Sequence, residues 1–305
     1  MPCGTFAGQE DDRMKIPFIS RIQRFSPDDG PGIRTTVFLK GCPLSCLWCH
    51  NPECIGAGKR LAIHRENCIG CGTCLTACPA GAISAPCRID RDLCTDCGAC
   101  AEVCPAGTMT MDGFRMRPEE LLEEVKKDLR FFRQSGGGLT LSGGEPLLYA
   151  EYTAEVCRLA GEAGISTAVD TSLYVPWDAI EPLLVLKPLF LTDIKAEDEA
   201  LHRELTGVSN RQIWENIEKL SFSGAAYWVS IPVVIGANEK EAEAIASRLK
   251  KLPNPPERIR LLPYHDMGRK KTDVYGLPGQ EKFETPDEQL LWRIANCFSL
   301  FTVTI

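Results

Sequence analysis

The chain has no long apolar run. Its hydrophobic stretches are broken by Pro, Lys or Asp well before the roughly 18–20 residues that a bilayer-spanning helix requires, so a membrane protein is not expected. The opening segment, Met1 to Lys15, is polar and acidic and lacks the apolar stretch of an export signal, which points to a cytoplasmic location. Positive charge is also in short supply: Lys and Arg total 34 against 41 Asp and Glu, a formal net charge of −7. Phosphate-backbone binding relies on clustered Lys and Arg, so a nucleic acid partner is not expected and a protein or small molecule is. With 305 residues, 44% hydrophobic and 25% charged, the chain can bury one large core and carry a small satellite domain.

Cysteine, by contrast, is abundant, with sixteen residues. A disulfide framework belongs to short exported chains, so metal thiolates in a reducing compartment explain the number better. Cys42, Cys46 and Cys49 stand together in Gly41-Cys42-Pro43-Leu44-Ser45-Cys46-Leu47-Trp48-Cys49-His50. Three soft thiolates from one loop can hold three corners of a cubane iron–sulfur cluster and leave one iron open. A structural zinc site instead takes four ligands, commonly in paired Cys-x2-Cys units. Two further runs repeat one pattern: Cys68-x2-Cys71-x2-Cys74-x3-Cys78-Pro79 and Cys94-x2-Cys97-x2-Cys100-x3-Cys104-Pro105. Between about Arg60 and Met111 Cys, Gly and Pro dominate, marking an inserted module. Among the remaining cysteines, Cys157 and Cys297 fall in helical patterns as small core residues, and Cys54 and Cys87 are read as incidental thiols.

Outside the insert, strands and helices alternate. The β-branched run Arg34 to Lys40 reads as a buried strand after the Asp29-Gly30-Pro31-Gly32 turn. One helix is expected from Pro118 through Leu121, Leu122, Val125, Leu129 and Phe132. Strands at Leu139–Leu141, Ile165–Asp170, Leu189–Ile194, Tyr227–Ile235 and Ile259–Tyr264 are separated by helices at Tyr149–Ala163, Gln212–Leu220 and Lys240–Lys251. Such alternation predicts a parallel sheet, and about six units predict a partial α/β barrel with reactive groups at the carboxyl ends of its strands. Polar motifs fall at those ends: Gly143-Gly144-Glu145-Pro146, Asp170-Thr171, Asp193-Ile194-Lys195 and Tyr264-His265. Any one of them alone reads as a turn or a solvated cap.

The Cys42 motif resembles the signature of the radical S-adenosylmethionine (SAM) superfamily, and the eight insert cysteines resemble a bacterial ferredoxin with two four-iron clusters. In a ferredoxin the fourth cysteine of each run ligates the other cluster, which implies Cys68, Cys71, Cys74 and Cys104 for one and Cys94, Cys97, Cys100 and Cys78 for the other. Electron relay is favoured for them over a purely scaffolding role, although metals do often fold segments this small.

Taken in order, Asp29 to Arg34, Cys42 to Glu53, Gly143 to Pro146, Asp193 to Lys195, Leu205-Thr206-Gly207-Val208-Ser209-Asn210 and Leu261-Leu262-Pro263-Tyr264-His265 resemble the glycyl radical enzyme activating enzymes, from about Ile16 onward. The resemblance implies a partial (β/α)6 TIM-like radical SAM barrel over 16–59 and 114–305, a ferredoxin-like insert over 60–113, and an extension over 1–15 that precedes the usual family start near Met14. It implies three 4Fe-4S clusters, SAM and a monovalent cation. Trp48 would lie beside the adenine and His50 would extend the match; Gly143, Gly144 and Glu145 would receive the SAM amino group. Lys195 would pair with the SAM carboxylate, Asp170, Asp193 and Ile194 would line the cation or ribose site, and His265 would meet the nucleoside. The implied reaction is reductive cleavage of SAM, with an electron from flavodoxin or ferredoxin, to a 5′-deoxyadenosyl radical. That radical would take hydrogen from a backbone glycine of a partner glycyl radical enzyme, of the dehydratase, lyase or decarboxylase type because of the insert. The cofactor does the hard chemistry, so no general base is expected.

Two departures stand out. Ser230 occupies a position where the family often has Arg, and Asp170-Thr171-Ser172-Leu173 replaces an Asp-Thr-Asn-Gly turn. The rival readings are a radical SAM maturase of peptides or small molecules, which usually carries its extra clusters toward the C-terminus, and a non-catalytic electron-transfer protein, against which the open three-cysteine site argues.

Overall fold

The computed structural model describes residues 14–305. Met1 to Arg13, which include Cys3 and most of the expected extension, lie outside the described residues. In chain order the elements are β1 (Ile19–Ser26), β2 (Arg34–Leu39), β3 (Arg60–Ile63), α1 (Thr73–Ala77), β4 (Ile83–Ala85), β5 (Arg88–Ile89), α2 (Ala99–Glu102), β6 (Met109–Asp112), α3 (Pro118–Lys126), α4 (Leu129–Ser135) and β7 (Gly138–Gly143). They continue with α5 (Ala150–Glu162), β8 (Ser166–Thr171), β9 (Leu189–Asp193), α6 (Glu199–Thr206), α7 (Arg211–Ser223), β10 (Tyr227–Val233), α8 (Ala242–Leu249), β11 (Arg258–Pro263), α9 (Met267–Tyr275), α10 (Glu288–Cys297) and β12 (Val303–Thr304). Among the described residues no helix is long and apolar enough to cross a membrane.

Eight strands form one sheet in the order β1-β2-β7-β8-β9-β10-β11-β12. Only the β1–β2 pair is antiparallel; the others run parallel, giving a mixed α/β fold with a parallel-dominated sheet. The period of two along each strand divides the sheet. On one face Val37, Leu39, Leu139, Leu141, Val169, Phe190, Val229, Ile231, Ile259 and Leu261 pack against Leu121, Val125, Val156, Ile213, Ile217 and Ile245 of the helices. Each fully buried aliphatic side chain there contributes about 1.5–3 kcal/mol. On the second face Ala168, Leu191 and Trp228 form a small buried cluster, whereas Thr36, Thr140, Ser142, Asp170, Asp193, Ser230 and Arg260 are polar, so that part of the face cannot be an ordinary core.

The segment from Arg60 to Asp112 is tied at its neck by the antiparallel β3–β6 ladder, Arg60 opposite Asp112 and Ile63 opposite Met109. Its own apolar cluster is small: Leu61, Cys74, Ile83, Cys100 and Met109 are its buried members. Lys40 Nζ, buried under the sheet, bonds Asp112 at 2.6 Å and the Glu53 carbonyl at 2.5 Å, fastening the neck to the end of β2.

The structure departs from the expected elements in several places. The single helix expected across Pro118 to Phe132 is two, broken at Asp128, whose carboxylate is drawn under the sheet by Thr35 Oγ1 (2.6 Å) and by Arg24. Strand β1 was not expected, because an edge strand reading Ile-Ser-Arg-Ile-Gln-Arg-Phe-Ser lacks a sustained apolar face. Cys157 is buried as expected, whereas Cys297 is only half-buried.

Arg34 opens β2 with its guanidinium buried against Thr140 Oγ1 (2.8 Å), Ser166 Oγ (3.1 Å) and the Leu139 carbonyl (2.5 Å). Burial pushes its pKa down to about 10, opposed by the charge of Asp29. Arg34→Ala strands those acceptors and is expected to cost about 3 kcal/mol in urea unfolding with an unchanged slope. A loss below about 1 kcal/mol would show that the guanidinium does not bind the three strands together.

Candidate functional site

The loop after β2 is held from four sides. Cys42 N–H donates to the Ile55 carbonyl (3.0 Å), and Ser45 and Leu47 N–H groups donate to the Thr206 and Leu205 carbonyls at 2.9 and 3.0 Å. The last carbonyls of a helix lack internal partners, so the end of α6 is a ready acceptor. Gly207, with φ +83°, ends that helix where a Cβ would stand 2.6 Å from Ser45 Oγ. Gln280 Nε2 closes the loop by donating to the Cys49 carbonyl at 2.9 Å.

The second strand end grips the same loop. Gly144 N–H donates to the Leu39 carbonyl (2.8 Å) and Glu145 N–H to the Gly41 carbonyl (2.7 Å). A Cβ on Gly144 would lie 2.1 Å from Gly41 O, and one on Gly143, at φ +114°, 2.3 Å from Leu39 O. These glycines are therefore required by the protein's own backbone. Glu145 is fully buried, and all its acceptor capacity is used: Oε1 takes Leu147 N–H (3.1 Å) and Thr171 Oγ1 (2.7 Å), and Oε2 takes Ser172 N–H (2.9 Å) and Oγ (2.5 Å). The carboxylate expected at a bound ammonium is instead committed to the end of β8. The altered turn after Asp170 fits this role, since Thr171 and Ser172 are the side chains that hold it. Leu173, where the family turn has Gly, adopts φ 59° and is completely buried, with its carbonyl capped by Asn216 Nδ2 at 2.9 Å.

Charged groups converge beside the cysteines. Lys195 is buried and bonds Asp193 Oδ2 at 3.0 Å. Burial alone would lower its pKa, but Asp193 and the sulfurs of Cys46 and Cys42 raise it and keep it cationic. Burial raises the pKa of Cys42 to about 12 and also raises those of Cys46 and Cys49; the Lys195 charge opposes the shift at Cys42 and Cys46. Burial, then the charge of Asp193, pushes Asp170 up to about 7, against a 2.6 Å bond from Ser142 Oγ and the charge of Arg260. Arg260 reaches across from β11, in register with Ser230, and donates to Ser230 Oγ from Nε (3.0 Å) and Nη2 (2.7 Å). It also holds the Asp28 carbonyl.

His50 and His265 stack with ring centroids 3.8 Å apart, and burial followed by the neighbouring His265 lowers His50 to about 4. His50 Nε2 and His265 Nδ1 are buried without a partner. Trp48 is buried with Ala196, Leu205, Val234 and Tyr264, its ring edge-on to Phe283. The Ile194 side chain belongs to the main core and its N–H is taken by the Ser230 carbonyl (2.9 Å), so only its own carbonyl is left to offer.

Between Arg60 and Asp112 the cysteines face two small voids open to solvent. Cys68, Cys71, Cys74 and Cys104 line the first, and Cys78, Cys94, Cys97 and Cys100 the second, so each takes one cysteine from the other run. Each run opens its helix from a left-handed glycine, Gly72 before α1 and Gly98 before α2. Among the described residues no group of three or more His, Cys, Asp or Glu side chains closes on a point that could hold a single metal ion. The chemistry of the donor sets, thiols alone in all three places, fits iron–sulfur clusters.

Comparison with known proteins gives this geometry a class. Residues 78–249 match the Radical SAM superfamily, 61–84 a 4Fe-4S binding domain and 28–67 a 4Fe-4S single cluster domain. The benzylsuccinate synthase activating enzyme of Thauera aromatica is 39% identical over 91% of this chain and 88% of its own length. The trans-4-hydroxy-L-proline dehydratase activating enzyme of Clostridioides difficile is 38% identical, covering 92% of this chain and 96% of its own. A solved structure, Streptococcus suis SuiB bound to S-adenosylmethionine, shares the fold over 63% of this chain and 44% of its own, at a TM-score of 0.50 and 14% identity. The chain belongs to the radical SAM superfamily, in the group of glycyl radical enzyme activating enzymes.

Sequence reasoning missed Arg260, whose partner depends on strand register; its one visible signal is the alternation Arg258-Ile259-Arg260-Leu261, which puts both arginines on one face of the strand. It also missed the anchor behind the cysteine loop, where Lys271 Nζ bonds the His50 carbonyl (2.7 Å) and buried Glu53 (2.8 Å).

Glu145→Gln places an amide NH2 against donors and is expected to cost about 2–3 kcal/mol. Amide exchange should quicken across Gly41 to Cys49 and stay unchanged between Arg60 and Asp112; unaltered exchange at the loop would contradict the clamp. Asp170, with a folded pKa above its unfolded one, contributes stability that is complete at acid pH and lost as pH rises through about 7. Without ligands, the wild type should therefore lose urea stability relative to Asp170→Asn from about pH 5 to about pH 8, and a difference that does not vary with pH would contradict the shift.

Proposed function

We propose that this chain activates a partner glycyl radical enzyme of the dehydratase, lyase or decarboxylase type, using SAM on the cluster held by Cys42, Cys46 and Cys49. The observation that carries this reading is the convergence of that triad with Lys195, Asp193, Asp170 and Arg260 at adjacent strand ends. When bound, the cluster and SAM supply a one-electron cleavage to a 5′-deoxyadenosyl radical able to take hydrogen from a backbone glycine.

The chain's own residues bind and orient. Lys195, kept cationic by Asp193, meets the SAM carboxylate. Arg260, delivered to the Ser230 position by the neighbouring strand, supplies the positive charge that position 230 lacks. Backbone carbonyls at Gly143 and Gly144 would receive the ammonium group, because the Glu145 carboxylate is already saturated. The unpartnered nitrogens of His50 and His265 offer hydrogen bonds to the nucleoside, and Asp170 with Asp193 holds ribose or a monovalent cation. The sheet is read as a partial (β/α)6 barrel and residues 60–113 as a ferredoxin-like insert with two 4Fe-4S clusters, relaying electrons from flavodoxin or ferredoxin. The meeting of cysteines from both runs at each void supports that reading.

Anaerobically reconstituted protein is expected to hold about 12 irons, four in each of three clusters, and its reduced EPR spectrum to change on adding SAM. Cys46→Ala should abolish SAM cleavage, whereas Cys97→Ala should leave SAM binding intact. A spectrum indifferent to SAM would overturn the proposal.

A further inference from the structure

The two cysteine runs have equal spacing, but their voids are unequal. Among the described residues, Cys78, Cys94, Cys97 and Cys100 are the cysteines lining the second, whereas the first, with Cys68, Cys71, Cys74 and Cys104, has Cys87 in its wall as a fifth. Cys87 shares that wall with Cys68, close enough for each to feel the other's charge. It is buried and lies outside the apolar cluster of Leu61, Cys74, Ile83, Cys100 and Met109. Cys68, its neighbour, is exposed.

The backbone places Cys87 deliberately. Ala85 pairs with Arg88 across the β4–β5 hairpin, which leaves Pro86 and Cys87 as the two turn residues. Proline followed by a positive φ is the pattern of a type II turn, whose third position favours Gly or Asn; here it holds Cys at φ 62°. Arg65 then fixes the two cysteines relative to each other. Its carbonyl accepts Cys68 N–H at 3.1 Å, and its Nη1 donates to the Cys87 carbonyl at 2.5 Å.

We propose that Cys87 is a reserve ligand of this site, able to take the iron corner held by Cys68. The inference rests on the reading of the void as an iron–sulfur site. In the exchange the iron–sulfur bond to Cys68 breaks, the bond to Cys87 forms, and the Cys87 proton passes to the departing Cys68 thiolate. No electron is gained or lost. This cluster could thus lose an exposed ligand and remain four-coordinate by thiolate, a property that no further cysteine among the described residues gives the second void.

The test is anaerobic reconstitution of the full chain as wild type, Cys68→Ala, Cys87→Ala, the double variant and Cys94→Ala, with iron counted and reduced and oxidised EPR spectra recorded. Cys68→Ala and Cys87→Ala should each keep about 12 irons, Cys68→Ala with a shifted reduced spectrum. The double variant and Cys94→Ala should fall to about 8–11 irons, with a three-iron signal when oxidised if only a corner is lost. Cys68→Ala falling as far as the double variant would overturn the reserve-ligand proposal while leaving the clusters in place. A wild type with no more than about four irons would overturn the cluster reading and this inference together.

Discussion

A single buried carboxylate organises the centre of this molecule. Glu145 joins three strand ends: its N–H reaches back to Gly41, the residue before Cys42, while its side chain binds Thr171 and Ser172 at the end of β8. Burial penalises the charge and raises its pKa, and four donors offset that cost. A buried charge is tolerable only when its hydrogen bonds are complete, so the surrounding geometry is tightly specified. The absence of any Cβ at Gly143 and Gly144 lets the strands approach closely enough for the clamp to close. Through it, the cysteine loop, the Gly143–Gly144 strand end and the Asp170 strand hold fixed relative positions.

That constraint explains why blocks far apart in sequence bear on one site. The Leu205 to Asn210 block contributes no charged side chain to the opening; its helix-end carbonyls hold the cysteine loop, and Asn210 Nδ2 ties it to the Ala196 and Glu197 carbonyls just beyond Lys195. Lys271 and Gln280 hold the far side of the loop from the C-terminal region. The charges themselves are arranged in opposition, Lys195 against Asp193 and Arg260 near Asp170, so the pocket is polar without a large net charge. Such an arrangement suits a zwitterionic ligand with a carboxylate, an ammonium and a nucleoside.

Much of this was legible in the sequence, because cysteine spacing is local and strand ends follow apolar runs. The triad, the two ferredoxin-type runs and the charges at Asp170, Asp193 and Lys195 could all be read directly. Three things could not. The direction in which Glu145 points depends on what the next strand end offers, and here Thr171 and Ser172 claim it. The arginine that lies against Ser230 comes from β11, and only the register opposite Ser230 reveals it. Cys87 looked incidental because its place beside Cys68 is set by a two-residue turn rather than by a motif.

The central claim is that this site directs radical chemistry onto the backbone of another protein. The most direct measurement is EPR of the reduced, SAM-loaded protein mixed anaerobically with a candidate partner, a glycyl radical enzyme of the dehydratase, lyase or decarboxylase type. A glycyl radical doublet that grows in step with methionine and 5′-deoxyadenosine is the predicted result. SAM cleavage at the same rate with no radical on the partner would contradict the account and favour a radical SAM enzyme acting on some other substrate.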